Sequence, residues 1–152
     1  MTIALIDTGC ANLASVRFAL ERAGLDYQVV TRPDETGDCD RLILPGVGAA
    51  GPAMARLREQ GWDVALKAER RPVLGICLGM QMLFERAAAG AVACQGLIPG
   101  RNAKLTTPTH GVGLHMGWKD MEFGEREDTP LAGLEEGDNG HYVQGVYDRT
   151  GA

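Results

Sequence analysis

The sequence has no cluster of lysine or arginine, no Cys-x-x-Cys pair and no long apolar run. Its 15 basic side chains are outnumbered by 20 acidic ones, for a net charge of −5 over 152 residues. That balance, with the basic residues scattered, argues against a nucleic-acid-binding surface. The four cysteines, Cys10, Cys39, Cys77 and Cys94, have neither the spacing of a structural zinc site nor that of a disulfide framework. They suit a reducing cytoplasm, and neither a metal nor a cofactor is expected. No apolar stretch approaches the ~20 residues that span a bilayer, so no membrane partner is expected. Thr2–Ile6 is too short, and lacks the basic flank, for a secretory leader. With no internal repeat and no linker, residues 1–152 read as a single domain, long enough to bury a sizeable core.

What is present is organised around Pro72-Val-Leu-Gly-Ile-Cys-Leu-Gly-Met-Gln81. Val73, Leu74 and Ile76 form a short apolar run that predicts a buried strand. Met80 to Phe84 predicts the opening of a helix. Two glycines and a cysteine separate the two, the arrangement of a nucleophile elbow with sulfur as the nucleophile. A strand turning at once into a helix thrusts the side chain of its central residue clear of the sheet. Gly75 and Gly79 lack the Cβ that would collide across so tight a turn. Cys77 is then presented where the free N–H groups of a first helical turn favour negative charge. The N–H of Leu78 is placed to receive a developing oxyanion. The competing reading is a buried structural cysteine at a Gly-rich corner.

Upstream, Thr2–Ile6 predicts a first parallel strand, apolar as expected for one covered on both faces. Asn12 is positioned to cap a helix from Leu13 to Ala23, with Leu13, Val16, Leu20 and Ala23 on one face and Gly24 as the stop. Tyr27–Val30 and Leu42–Leu44 predict two more strands, separated by a polar loop from Thr31 to Asp40. Helices are expected from about Pro52 to Arg58 and from Trp62 to Ala68. The order predicts an α/β fold, an open, mostly parallel sheet flanked by helices. Ligands of such sheets bind at the carboxyl ends of the strands. Asp7–Asn12, Pro45–Gly48 and Cys77–Gln81 all lie at such ends. Gly46-x-Gly48-x-x-Gly51 also spells a dinucleotide fingerprint, but it follows the third strand, and no ribose-binding acid ends the next one. A nest of backbone N–H groups facing Cys77 is the better reading. Beyond Arg86, residues 87–93 read as a small-residue linker. A β-rich stretch begins at Leu97, with strand or turn pieces at Gly111–Trp118 and His141–Tyr147.

Four segments carry a resemblance: Asp7-Thr-Gly-Cys-Ala-Asn-Leu13, Leu44-Pro-Gly-Val-Gly48, Gly75-Ile-Cys-Leu-Gly-Met-Gln81 and His115-Met-Gly-Trp118. With them the chain resembles class I glutamine amidotransferases, most closely the glutaminase subunits of imidazole glycerol phosphate synthases in histidine biosynthesis. The likeness covers about residues 1 to 120. It implies that Cys77 attacks the side-chain amide of glutamine and forms a thioester, with the oxyanion held by N–H groups of Val47 and Leu78. Gly46 would permit the required peptide orientation, and Gly48 and Gln81 would help hold the substrate. The ammonia would pass to a (β/α)₈-barrel cyclase subunit, and Asn12 and Trp118 would lie toward that partner.

The chain departs from the family in places. The family's base lies in a His-Pro-Glu segment near the C-terminus, which does not occur here, so the chain is expected to be shortened at that end. The position of a substrate-binding Glu is held by Ala89. A Val-His-Ser-Tyr-like stretch corresponds at best to Val143–Tyr147. His110, His115 and His141 are the only histidines that could replace the base. The alternative to a glutaminase is therefore a catalytically incomplete, partner-binding or regulatory domain of the same fold.

Overall fold

The structure is a computed structural model that describes residues 1–87, 92–107, 111–112, 115–122, 133–144 and 146–149. The chain forms two compact units, one of Met1–Ala103 with the chain end from Asp148, the other of Lys104–Tyr147. Ala89, His110, Gly113, Leu114 and Gly145, which the sequence reading touched on, lie outside the described residues.

The first unit begins with β1 (Thr2–Ile6), α1 (Leu13–Arg22), β2 (Asp26–Val30) and a 3-10 turn at Pro33–Thr36. It continues with β3 (Arg41–Gly46), α2 (Ala50–Glu59), α3 (Trp62–Ala68), β4 (Val73–Cys77) and α4 (Leu78–Leu83). The four strands form one parallel sheet in the order β2-β1-β3-β4. Alternation along β1 and β3 sorts their side chains between two cores. Ala4, Ile6, Leu42 and Leu44 pack with Met54, Leu57, Trp62, Leu66 and Met82 from α2, α3 and α4, whereas Ile3, Leu5 and Ile43 pack with Leu20 of α1. The helix caps follow the sequence. The Asn12 side chain accepts the Ser15 N–H at 3.4 Å, and Gly24, at φ +66°, ends α1.

Two expectations are corrected. The apolar run of β4 predicted a buried strand, yet Leu74 is 51 % and Ile76 37 % exposed. The reason is position. β4 is the edge strand of this sheet, and the core under α1 ends at Ile43, the register partner of Leu74. Phe84 does not continue the elbow helix but opens β5 (Phe84–Ala87), which pairs antiparallel with β6 (Val92–Ala93) and parallel with β7 (Ile98–Lys104). Here the returning chain takes the last helical carbonyls: Gln95 N–H donates to Met82 O and Leu97 N–H to Leu83 O, at 2.9 and 2.8 Å. A helix end satisfied in this way stops. The ends of the expected 87–93 linker, Ala87 and Val92–Ala93, therefore lie in strands.

The second unit holds the short ladder of β8 (Thr106–Thr107) with β9 (Gly111–Val112). It also holds the antiparallel pair β10 (His115–Asp120) and β11 (Asn139–Gln144). β12 (Val146–Arg149) straddles the boundary between the units.

The link from α3 to β4 is fastened by Arg71. Its guanidinium donates to Glu69 at 2.7 Å, to the Cys39 carbonyl at 3.0 Å and to the buried Thr36 hydroxyl at 3.2 Å. This places β4 against the chain leading into β3. The hydrogen bonds from the Arg71 side chain hold the Glu69 carboxyl down at about 2. A carboxyl lowered on folding adds stability above its unfolded pKa and loses it as pH falls toward the folded one. We therefore expect Glu69→Gln to cost about 1–3 kcal/mol at pH 7. The difference from the parent should shrink progressively between pH 5 and pH 2. Urea unfolding of both proteins across that range checks the sign; a constant difference would exclude an ionic origin.

Candidate active site

The site is built where β1, β3 and β4 end. Cys77 closes β4 and precedes α4 directly, so its backbone must reverse direction within one residue. Among the described residues it is the one non-glycine with positive φ, at φ 55° and ψ −118°. For a residue with a Cβ this is a strained conformation that the surroundings must hold. The glycines around it show how. A Cβ on Gly75 would meet the backbone of Met80, with its nitrogen 2.7 Å away, and one on Gly79 would meet the backbone carbonyl of Leu44. A Cβ on Gly46 would lie 2.8 Å from the Gly79 nitrogen. Gly46 is not among the positive-φ glycines, so close approach, not backbone freedom, is what demands glycine there.

These contacts bring the sequence-derived residues together. Gly46 is the register partner of Cys77 across β3 and β4, which sets the Val47–Gly48 turn beside Cys77. Cys77 is exposed, Leu78 is buried as the first residue of α4, and Gln81 follows one helical turn on, half-buried. α4 has only six residues, so its contribution at Cys77 is the free N–H groups of its first turn more than a long stack of dipoles. Gly48 takes φ +87° after the half-exposed Val47.

One detail departs from the sequence reading. The nest was expected to aim its N–H groups at Cys77, but the Val47 N–H donates to the Cys10 carbonyl at 2.8 Å. A backbone N–H takes the best-placed acceptor, and the turn after β1 supplies one. That turn is formed by Asp7, whose carboxylate accepts the Gly9 N–H at 2.7 Å, with Gly9 at φ +69°. The loops after β1 and β3 are thus tied to each other. Sequence reasoning missed this tie because backbone carbonyls leave no mark in the sequence.

Asn12 is exposed at the start of α1. Trp118 belongs to the second unit, 68 % exposed, with its ring edge-on to His141 at 5.1 Å between centroids. His115 and His141 belong to the same unit. No cluster of His, Cys, Asp and Glu able to hold a metal occurs among the described residues.

The structure is an α/β protein with a strained cysteine at a strand-to-helix turn packed by glycines, and the comparisons name the class. The chain belongs to the class-I glutamine amidotransferase family, whose model ("Glutamine amidotransferase class-I") matches residues 4–139. Within the family it is similar to the imidazole glycerol phosphate synthase subunit HisH of Xanthomonas euvesicatoria pv. vesicatoria (strain 85-10), at 49 % identity over 144 residues. That match covers 94 % of this chain and 71 % of the relative. The HisH subunit of Xylella fastidiosa (strain Temecula1 / ATCC 700964) is 46 % identical over 93 % of this chain and 70 % of its own length. The fold agrees with a crystal structure of a glutamine amidotransferase (TM-score 0.67, 15 % identity, covering 96 % of this chain and 73 % of that one). It agrees also with the structure of PurLQS from Thermotoga maritima (TM-score 0.66, 23 % identity, 99 % and 70 %).

Two outcomes are expected at the elbow. Limiting iodoacetamide at neutral pH should label Cys77 first. It is exposed, whereas burial pushes the Cys39 and Cys94 thiols up and so lowers their thiolate fraction. Peptide mass mapping reads this out, and preferential labelling of Cys10, Cys39 or Cys94 would overturn it. Gly79→Ala should destabilise by about 2–4 kcal/mol, because its methyl falls on a backbone carbonyl that cannot move aside. Urea denaturation measures that cost.

Proposed function

We propose that this chain is the glutaminase subunit of an imidazole glycerol phosphate synthase. Cys77 attacks the carboxamide carbon of glutamine; the carbonyl electrons move to oxygen, and the tetrahedral intermediate collapses with loss of ammonia. Water then cleaves the glutamyl thioester to glutamate and restores the thiol. Leu78 N–H, in the first turn of α4, is one donor to the oxyanion. Val47 N–H is the other, once it gives up the Cys10 carbonyl. Gly46 and Gly48 let the loop pass close to the nucleophile, and Gln81 borders the glutamine. The ammonia goes to a (β/α)₈-barrel cyclase subunit in the cytoplasm, as a heterodimer whose contacts include Asn12 and Trp118. The observation that carries this reading is the positive φ of Cys77, held by backbone contacts that only glycine permits, in a chain half-identical to HisH subunits.

The general base is the part for which this sequence holds no His-Pro-Glu segment; its histidines are His110, His115 and His141. General acid–base catalysis is typically worth 10² to 10⁴-fold, and the same group must protonate the departing amine. We therefore expect the 152-residue polypeptide to hydrolyse glutamine at least ~10³-fold slower than the Xanthomonas relative. The glutamyl thioester on Cys77 should still be trappable by mass spectrometry and absent in Cys77→Ser. Glutamate release in the presence of a cyclase subunit and its nucleotide substrate is the measurement. A rate within tenfold of the relative, abolished by Cys77→Ser, would instead assign the base to His110, His115 or His141. Absence of any thioester would sink the glutaminase reading and favour the partner-binding alternative.

Binding to a cyclase subunit should be measurable by calorimetry and weakened by Trp118→Ala. Large exposed aromatics anchor interfaces, and their removal typically costs ~2 kcal/mol or more. An unchanged affinity would remove Trp118 from the interface.

A further inference from the structure

The hold of the Cys10 carbonyl on the Val47 N–H depends on the course of the loop from Asp7 to Asn12. The loop starts at β1, where the Asp7 N–H donates to Val30 O at 2.8 Å, and ends at the Asn12 cap of α1. Between them a side chain from another element reaches it: Gln60 Nε2 donates to the Asp7 carbonyl at 2.9 Å, from 53 residues away. Gln60 stands at the corner that ends α2. Its own N–H donates to Arg56 O and the N–H of left-handed Gly61 to Arg58 O, both at 3.0 Å. Next to it Trp62 is buried, with its indole N–H on the Thr31 carbonyl at 2.9 Å. The Thr8 hydroxyl, on a residue only 1 % exposed, and Gln60 Oε1 are both buried without a hydrogen-bond partner.

We propose that Gln60 is a positioning residue for the oxyanion loop. By holding the Asp7 carbonyl it sets the turn through Gly9 to Cys10, and with it the grip of the Cys10 carbonyl on the Val47 amide. Gln60 acts through the loop, by the bond from its Nε2 to the Asp7 carbonyl. The catalytic consequence rests on Val47 N–H being an oxyanion donor, as read above, but the positional claim does not.

The test is amide hydrogen exchange in the ¹⁵N-labelled 152-residue protein. Gln60→Met should speed exchange at Val47 by about tenfold or more, with Leu5 and Leu44 in the core changed less than twofold. Gln60→Glu, which replaces only the donor, should do the same, and Gln60→Lys, which restores a donor of similar reach, should recover protection. Unchanged exchange at Val47 in either folded variant would overturn the proposal, and so would a rise shared equally by Leu5 and Leu44. The rate of thioester formation on Cys77 separates the two readings. If Val47 exchange rises and the thioester forms faster, both stand. If exchange rises while thioester formation is unmoved, Gln60 still positions the loop but Val47 is not the oxyanion donor.

Discussion

The backbones of β3 and α4 pass closer together than side chains would allow. The approach of Gly79 to the Leu44 carbonyl leaves no room for even a methyl group, and Gly46 meets the same turn from the other side. Everything at the site follows from that approach. It forces the chain to reverse at Cys77, which strains that residue into positive φ and leaves its side chain exposed. It also fixes Gly46 opposite Cys77, so that the loop after β3 cannot be anywhere but beside the sulfur. The strain at one residue is small beside the packing that imposes it. Leu44, Leu78 and Met82 are all buried in the same core as Trp62 and Met54, so relaxing the elbow would mean opening that core.

Much of this was legible in the sequence, and the reason differs from element to element. β1 and β3 were readable because a parallel strand covered on both faces is apolar throughout. α1 was readable because Asn12 and Gly24 are chemically specific to helix ends. The elbow was readable because glycine at two fixed distances from a cysteine answers a steric demand that composition does not. The extent of burial was not readable for β4. Its residues look like those of β1, and only the strand order reveals that it lies at the edge of the sheet. Nor could the sequence foretell that α4 stops at Leu83. The cause is a tertiary hydrogen bond from Gln95, a residue twelve positions further on with no helix-stop signature of its own.

The second kind of illegibility concerns the loops. Gln60, Glu69 and Arg71 stand in no motif, and each would pass for a solvated charge or amide on a surface. Yet Arg71 fastens the approach to β4, and Gln60 reaches the turn after β1. Both act through backbone carbonyls. A carbonyl is present at every residue, so a sequence carries no trace of which ones are used.

The Val47 amide illustrates what such carbonyl contacts can do. A backbone N–H in a loop beside a nucleophile has two obligations. It must be satisfied when no oxyanion is present, and it must be free to bond one that forms. A permanently unpaired N–H would meet the second at a cost of about 1–3 kcal/mol to the resting fold. A partner too well placed would meet the first and defeat the second. Val47 is half-exposed, so its bond to the Cys10 carbonyl lies near the surface and not in the core. The net strength of that bond is then about 1 kcal/mol, small enough for a developing oxyanion, which bonds about twice as strongly, to displace. For the role proposed for Val47, the resting bond is therefore no obstacle in itself. What decides access is whether the loop that carries Cys10 can withdraw, and that depends on what holds the loop from outside.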